Sequence, residues 1–190
     1  MSDVTANITY FERPGRENTE RTLQIAKERA EKSGIRQIVV ASTGGETGRR
    51  AADVFEGNHL VVVTHSTGFS EPDAQQLTAE NRRAMLAKGA HLLTCQHAFG
   101  GVNRAIRRLL NTYQVDEIIA YSLRVFGEGM KVACEITLMA ADAGLIRTDE
   151  PTVAIAGTGG GANTAVVLRP ANAQDFFKLR INEILCKPIF

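Results

Sequence analysis

Apolar positions along this chain fall into short, mostly β-branched runs set between longer stretches of helical spacing. Ile38–Ala41, Leu60–Val63, His91–Thr94, Val153–Ala156 and Ala165–Leu168 read as five strands, four of them buried on both faces. Ahead of the first lies a helix capped by Asn18 or Thr19, with Leu23, Ile25, Ala26 and Ala30 along it to about Lys32, and Ser33-Gly34 ends it. A second helix follows Gly48 and stops near Gly57; a third runs from about Thr78 to Lys88. Between Gly101 and Leu145 the spacing is helical. Val102, Ile106, Leu109 and Leu110 form one amphipathic segment, and Ile118, Ile119, Leu123 and Phe126 a second. After Gly127-Glu128-Gly129, Met130 to Ala143 form a third, closed by Gly144. The termini are less patterned: Ile8–Phe11 is a short apolar piece, and Phe176–Pro188 fits strand or helix, read here as an edge strand.

Strands alternating with helices predict a three-layer α/β/α fold around a mostly parallel five-stranded sheet, with extra N- and C-terminal segments. The fifth strand follows the fourth so closely that the connection is hairpin-like and the strand antiparallel. At 190 residues, one domain is expected, burying about 70% of its unfolded surface.

In such sheets ligands sit beyond the C-terminal strand ends, where strand order reverses. Ser42–Gly48, Thr64–Gly68, Cys95–Gly101 and Gly157–Thr164, all polar or glycine-rich, lie at those ends. The opposite ends carry Gly34, Gly57, Gly89 and Pro151, which look like plain connectors. The first of these segments, Ser42-Thr43-Gly44-Gly45-Glu46-Thr47-Gly48, joins a buried strand to a helix start, the local form of a phosphate cradle. Glycine lets backbone N–H groups approach an anion, and the helix N-terminus adds partial positive charge. An ordinary tight turn uses the same residues. Arg49 stands where a Walker A loop needs lysine, which disfavours a nucleoside triphosphate with magnesium. Gly157-x-Gly159-x-x-Ala162 superficially fits a relaxed dinucleotide fingerprint, but neither a long helix nor a downstream acid follows.

Composition narrows the partners. With 22 basic and 21 acidic residues the net charge is +1, so no overall field draws the chain to nucleic acid or membrane. Three widely spaced cysteines, Cys95, Cys134 and Cys186, contain no C-x-x-C pair, which predicts reduced thiols rather than a zinc site. No apolar run approaches the about 18 residues of a membrane span, and Asp3, Asn7 and Glu12 occupy the place of a signal-peptide block. A cytoplasmic protein is expected.

Several phrases now carry a resemblance. Glu46-Thr47-Gly48, V-A-I-A-G-T-G-G-G-A-N-T from Val153, Y-F-E-R-P-G-R-E-N-T from Tyr10, V-T-H-S-T-G-F from Val63 and F-G-E-G-M-K-V-A-C-E-I from Phe126 resemble the pyruvate kinase C-terminal domain-like family, specifically its small stand-alone members. The first phrase departs by one inserted glycine, the second by Ala162 in place of the usual Thr. The resemblance implies strand order 3-2-1-4-5, with the first and the late glycine turns side by side at the reversal point. It also implies a binder of flavin mononucleotide (FMN) or a sugar phosphate. It is to the regulatory domain alone, and 190 residues leave no room for a catalytic barrel, so pyruvate kinase activity is not expected.

The expected ligand contacts are Ser42 to Gly48, Thr64, His65, Thr67, Gly68 and Phe69, together with Gly157, Thr158, Gly159, Gly160, Gly161 and Asn163. The hydroxyls of Thr43, Thr47 and Thr158 can donate to phosphate, and Phe69 or Tyr10 can stack on a planar ring. Arg49 and Arg50 open the helix after the cradle, where solvated arginines are common. His65 and His97 end neighbouring strands and suit acid-base work, a metal pair or ligand hydrogen bonds; with no third ligand in view, no metal is expected. Cys95, two residues before His97, reads as a thiolate or as an inert buried thiol. Lys131 and Glu135 pair across one helical turn, or, if Gly127-Glu128-Gly129 bends the chain into the cleft, Glu128 and Lys131 meet the ligand. The partners expected are a phosphorylated small molecule and further copies of the chain. The alternative is a small enzyme acting on a phosphorylated metabolite through His65, His97, Glu128 or Lys131.

Overall fold

The computed structural model describes residues 3 and 5–189. Its strands are Thr9–Phe11 (β1), Gln37–Ala41 (β2), His59–Val63 (β3), His91–Leu93 (β4), Thr152–Ala156 (β5), Thr164–Arg169 (β6) and Arg180–Pro188 (β7). All seven join one sheet in the order β4-β3-β2-β5-β6-β7-β1. The expected count of five, and with it the expected order, is corrected: the five strands read from the pattern sit consecutively, and β7 and β1 extend the sheet beyond β6. β2, β3, β4 and β5 are mutually parallel, while β6 returns antiparallel to β5 with Ala156 opposite Thr164. The tail is a strand but not an edge. β1 pairs outside it, Thr9 opposite Cys186, so a three-residue strand forms the rim, a short edge that gives other chains little to pair with.

Helices Thr19–Ser33 (α1), Glu46–Val54 (α2) and Ala79–Ala87 (α3) cover one face of the sheet. There Leu23, Ala26, Ala51, Phe55 and Met85 pack on Ile38, Val40, Val62 and Ile155. The alternate strand residues Val39, Val61, Ala154 and Val166 point the other way, as the strand period of two requires. They meet Val115–Arg124 (α5) and Glu128–Asp142 (α6). Twelve of the fifteen residues of α6 are buried, because it lies under the sheet centre and behind α5 at once.

One helix reverses its expected orientation. Val102–Leu110 (α4) buries none of its residues; Val102, Leu109 and Leu110 are exposed, while Arg104 and Arg107 are half-buried with Ile106. The amphipathic spacing is there, but the apolar stripe meets no core.

Candidate functional site

β2 and β5 run parallel and adjacent, so the turns that follow them leave the sheet side by side, at the point where the chain moves off in opposite directions. A cleft of about 910 Å³ opens over these strand ends. Ala41, Val63 and α6 from Glu128 to Met139 are among its walls.

The turn after β2 is shaped by its hydrogen bonds. Ser42 Oγ accepts from Gly48 N–H at 3.0 Å and ties the strand end to the first turn of α2. The Gly44 carbonyl is held toward α3 by Asn81 Nδ2 at 2.9 Å and Thr78 N–H at 3.3 Å. The N–H of that same planar peptide, on Gly45, therefore points away from α3. Gly45 is the N-cap of α2 and has no side chain to cap it; with Gly48 N–H taken by Ser42, the Glu46 and Thr47 amides are the leading ones left for an anion. The starts of α1 and α6 also lack a side-chain cap and reach the same cleft through Thr19 and Glu20, and through Glu128 and Lys131. Three positive helix ends thus face one space.

The second turn, Gly157–Gly161, closes against the approach to α1. Ala162 N–H donates to Thr19 Oγ1 at 3.0 Å, and Thr22 Oγ1 donates to Ala162 O at 3.3 Å. A side chain at Gly161, where φ is +68°, would meet the Arg16 backbone at 2.5 Å, and one at Gly157 would meet Gly161 O at 2.2 Å. Only a bare backbone fits so close an approach. Arg16 lines the cleft beside this turn and has no ion pair among the described residues.

Beyond Thr43 stands an aromatic and histidine cluster. His65 Nδ1–H donates to Gln76 Oε1 at 2.7 Å, leaving Nε2 to accept from Thr43 Oγ1 at 3.4 Å. His97 Nε2 accepts from Ser66 N–H at 3.3 Å. Phe69 stacks on His97 with centroids 5.0 Å apart, and the Arg104 guanidinium lies 4.8 Å over the Phe69 ring. Neither histidine keeps a free acceptor nitrogen.

Burial pushes the His97 imidazole down to about 4; Glu135 opposes this, while His65, Lys131 and Arg104 add to it. The unfolded chain takes up that proton near 6.5, so the stabilisation is complete above that pH and is lost as pH falls toward 4. The urea midpoint is expected to drop between pH 7 and 4, and His97→Gln to flatten part of that drop. Equal slopes in both proteins would count against the buried neutral imidazole.

Lys131 and Glu135 form the ion pair across one turn, and both also line the cleft. The pair is buried, and Glu135 Oε1 also accepts from Phe99 N–H at 3.0 Å. Glu128 reaches the cleft as well, held by Arg124 at 2.5 Å.

Of the expected contacts, Ser42, Thr43, Gly44, Glu46 and Thr47 line the cleft with Thr64, His65, Phe69, His97 and Gly157 and Gly159 to Gly161. Six do not. Gly48 turns toward Met85 and Val62 in the core, Gly45 toward Asn81 and Leu77, and Asn163 is fully buried. Thr67 and Gly68 are exposed, and Thr158 lies outside the walls. Tyr10, a candidate ring partner, sits on β1 under Lys187, away from the cleft. Cys95 is outside the walls too, and burial pushes its thiol up, against a thiolate role. Arg49 is exposed, while Arg50 reaches the cleft but pairs with Glu20 at 2.8 Å. Among the described residues no group of three His, Cys, Asp or Glu stands close enough for a metal, and no helix is long and apolar enough to cross a membrane. Arg16, Asn81 and Arg104 were not expected at the site. The E-R-P-G-R phrase was the available signal for Arg16.

The family model described as "Pyruvate kinase, alpha/beta domain" matches residues 20–168. Among solved structures, the NH3-dependent NAD synthetase from Campylobacter jejuni subsp. jejuni NCTC 11168 in complex with the nitrate ion is 11% identical. The likeness covers 58% of this chain and 47% of that one, at a TM-score of 0.29. This chain therefore spans about half the length of that protein, and at that score the likeness carries no argument.

Proposed function

The chain belongs to the pyruvate kinase alpha/beta domain family, and from that membership and the chemistry of the cleft we propose that it binds a phosphorylated small molecule, with the phosphate between the two glycine turns. One observation carries the reading: uncapped helix ends, a side-chain-poor turn and the unpaired Arg16 line the same cleft. Backbone N–H groups and a positive helix end hold phosphate without needing a lysine. Most of the nearby acids are already neutralised, Glu20 by Arg50, Glu128 by Arg124 and Glu135 by Lys131.

The ligand class is a monophosphate carrying a planar group, of which FMN is the leading case, with a sugar phosphate or phosphate ion as simpler occupants. The residues fit that assignment. The glycine approach suits the phosphate, Arg104 on Phe69 offers a flat cationic surface, and about 910 Å³ suits a ligand of that size. A flavin supplies hydride and single-electron chemistry when bound; the chain's own groups bind and orient it. The engaged acceptor nitrogens of His65 and His97 support holding over acid-base catalysis.

Titration calorimetry with FMN and with a sugar phosphate tests this. Arg16→Ala is expected to weaken binding about tenfold or more, the scale of a charge-assisted hydrogen bond, with thermal stability unchanged. Unchanged affinity would remove Arg16 from the site, and no binding of any phosphorylated compound would end the proposal.

A further inference from the structure

Helix α4 is amphipathic the wrong way round for a monomer. Val102, Leu109 and Leu110 face solvent, with Leu109 84% exposed, and none of its residues is buried. What holds it to the protein is arginine: Arg104 on Phe69, and Arg107 on Glu117 at 2.5 Å and on Tyr113. The exposed surface continues along α5 through Val115, Ile118, Tyr121 and Val125. Tyr113 and Tyr121 meet edge to face at 5.7 Å and Arg107 bridges the helices, so the two form one ridge. Eight large apolar or aromatic side chains between Val102 and Val125 are each more than half exposed along this ridge, a contiguous apolar face of the kind that marks an interaction site.

The charges on the ridge identify the occupant. α4 carries Arg104, Arg107 and Arg108 with no acid, whereas α5 opens on Asp116 and Glu117. Arg107 and Glu117 already satisfy one another. That leaves Arg108, exposed, and Asp116, half-buried, each without an ion pair among the described residues. In a two-fold pairing every contact is made twice by the same surface. We propose that the α4–α5 ridge is the interface of a homodimer, α4 of one copy lying against α5 of the other with Arg108 facing Asp116 of the second copy. The second copy then fixes the helix that carries Arg104 into the cleft wall.

The test is sedimentation of the full chain over a range of concentrations, with no ligand added. The wild-type chain is expected at twice its monomer mass. Leu109→Asp is expected at monomer mass with an unchanged circular dichroism spectrum, since that side chain touches no core. Arg108→Asp is expected to weaken the dimer at least tenfold, and addition of Asp116→Arg to restore it. A wild-type monomer at every concentration, which would assign the ridge to a different protein, overturns the proposal. So does a dimer that survives Leu109→Asp. Failure of the double variant to recover overturns the α4-on-α5 register. None of these results depends on what the cleft binds.

Discussion

Lys131→Met is expected to lower the unfolding free energy by about 3–5 kcal/mol, the cost of leaving one member of a buried ion pair without its partner. Lys131 is 5% and Glu135 3% exposed, so the carboxylate left behind would have little water to replace the ammonium. Glu135 cannot simply swing away, because Phe99 N–H is bound to its other oxygen at 3.0 Å. Lys131→Met with Glu135→Gln should recover most of the loss, since Gln keeps an acceptor for Phe99 and drops the charge. Urea unfolding reads both through the midpoint at constant m-value. A single-variant loss below about 1 kcal/mol would mean that water reaches the pair.

Gly157→Ala is expected to weaken FMN binding by about a hundredfold, near 3 kcal/mol, while the fold persists. Its Cβ would stand 2.2 Å from Gly161 O and 3.1 Å from Ala162 Cα; both are backbone, so the turn itself must move. Gly159→Ala is the internal control. Its φ of +67° makes alanine costly by about 1 kcal/mol, but nothing lies within 4 Å of the new methyl group. Its affinity should fall by less than tenfold. Equal losses in the two variants would mean that backbone strain, and not the close approach, shapes the turn.

The parts of this molecule that were legible beforehand are those governed by local periodicity. Ile38–Ala41 and Val153–Ala156 announce buried strands, and their neighbouring places in the sheet bring the turns after Ala41 and Ala156 together. Glycines marked which backbone approaches closely but not what it approaches. Gly48 was read as a ligand contact, although its missing side chain makes room for Met85 and Val62. Long-range charge was the least legible. Lys131 and Glu135 at a four-residue spacing look like any solvated pair, and only the burial of α6 between sheet and α5 makes them costly. Arg16 and Arg104 come from segments whose polarity reads as surface; Arg104 is drawn in by Phe69, distant in sequence, and Arg16 stays exposed at the cleft rim beside the Gly157–Gly161 turn. The apolar spacing of α4 was visible too, yet periodicity reports a stripe and not the side on which it finds a partner.

The most direct test of the account is a crystal structure of the full chain grown with FMN. The phosphate is predicted within hydrogen-bond reach of the Glu46 and Thr47 amides on one side and of the Gly157–Gly161 turn and Arg16 on the other. A phosphate lodged elsewhere, with those two turns touching no anion, would contradict it.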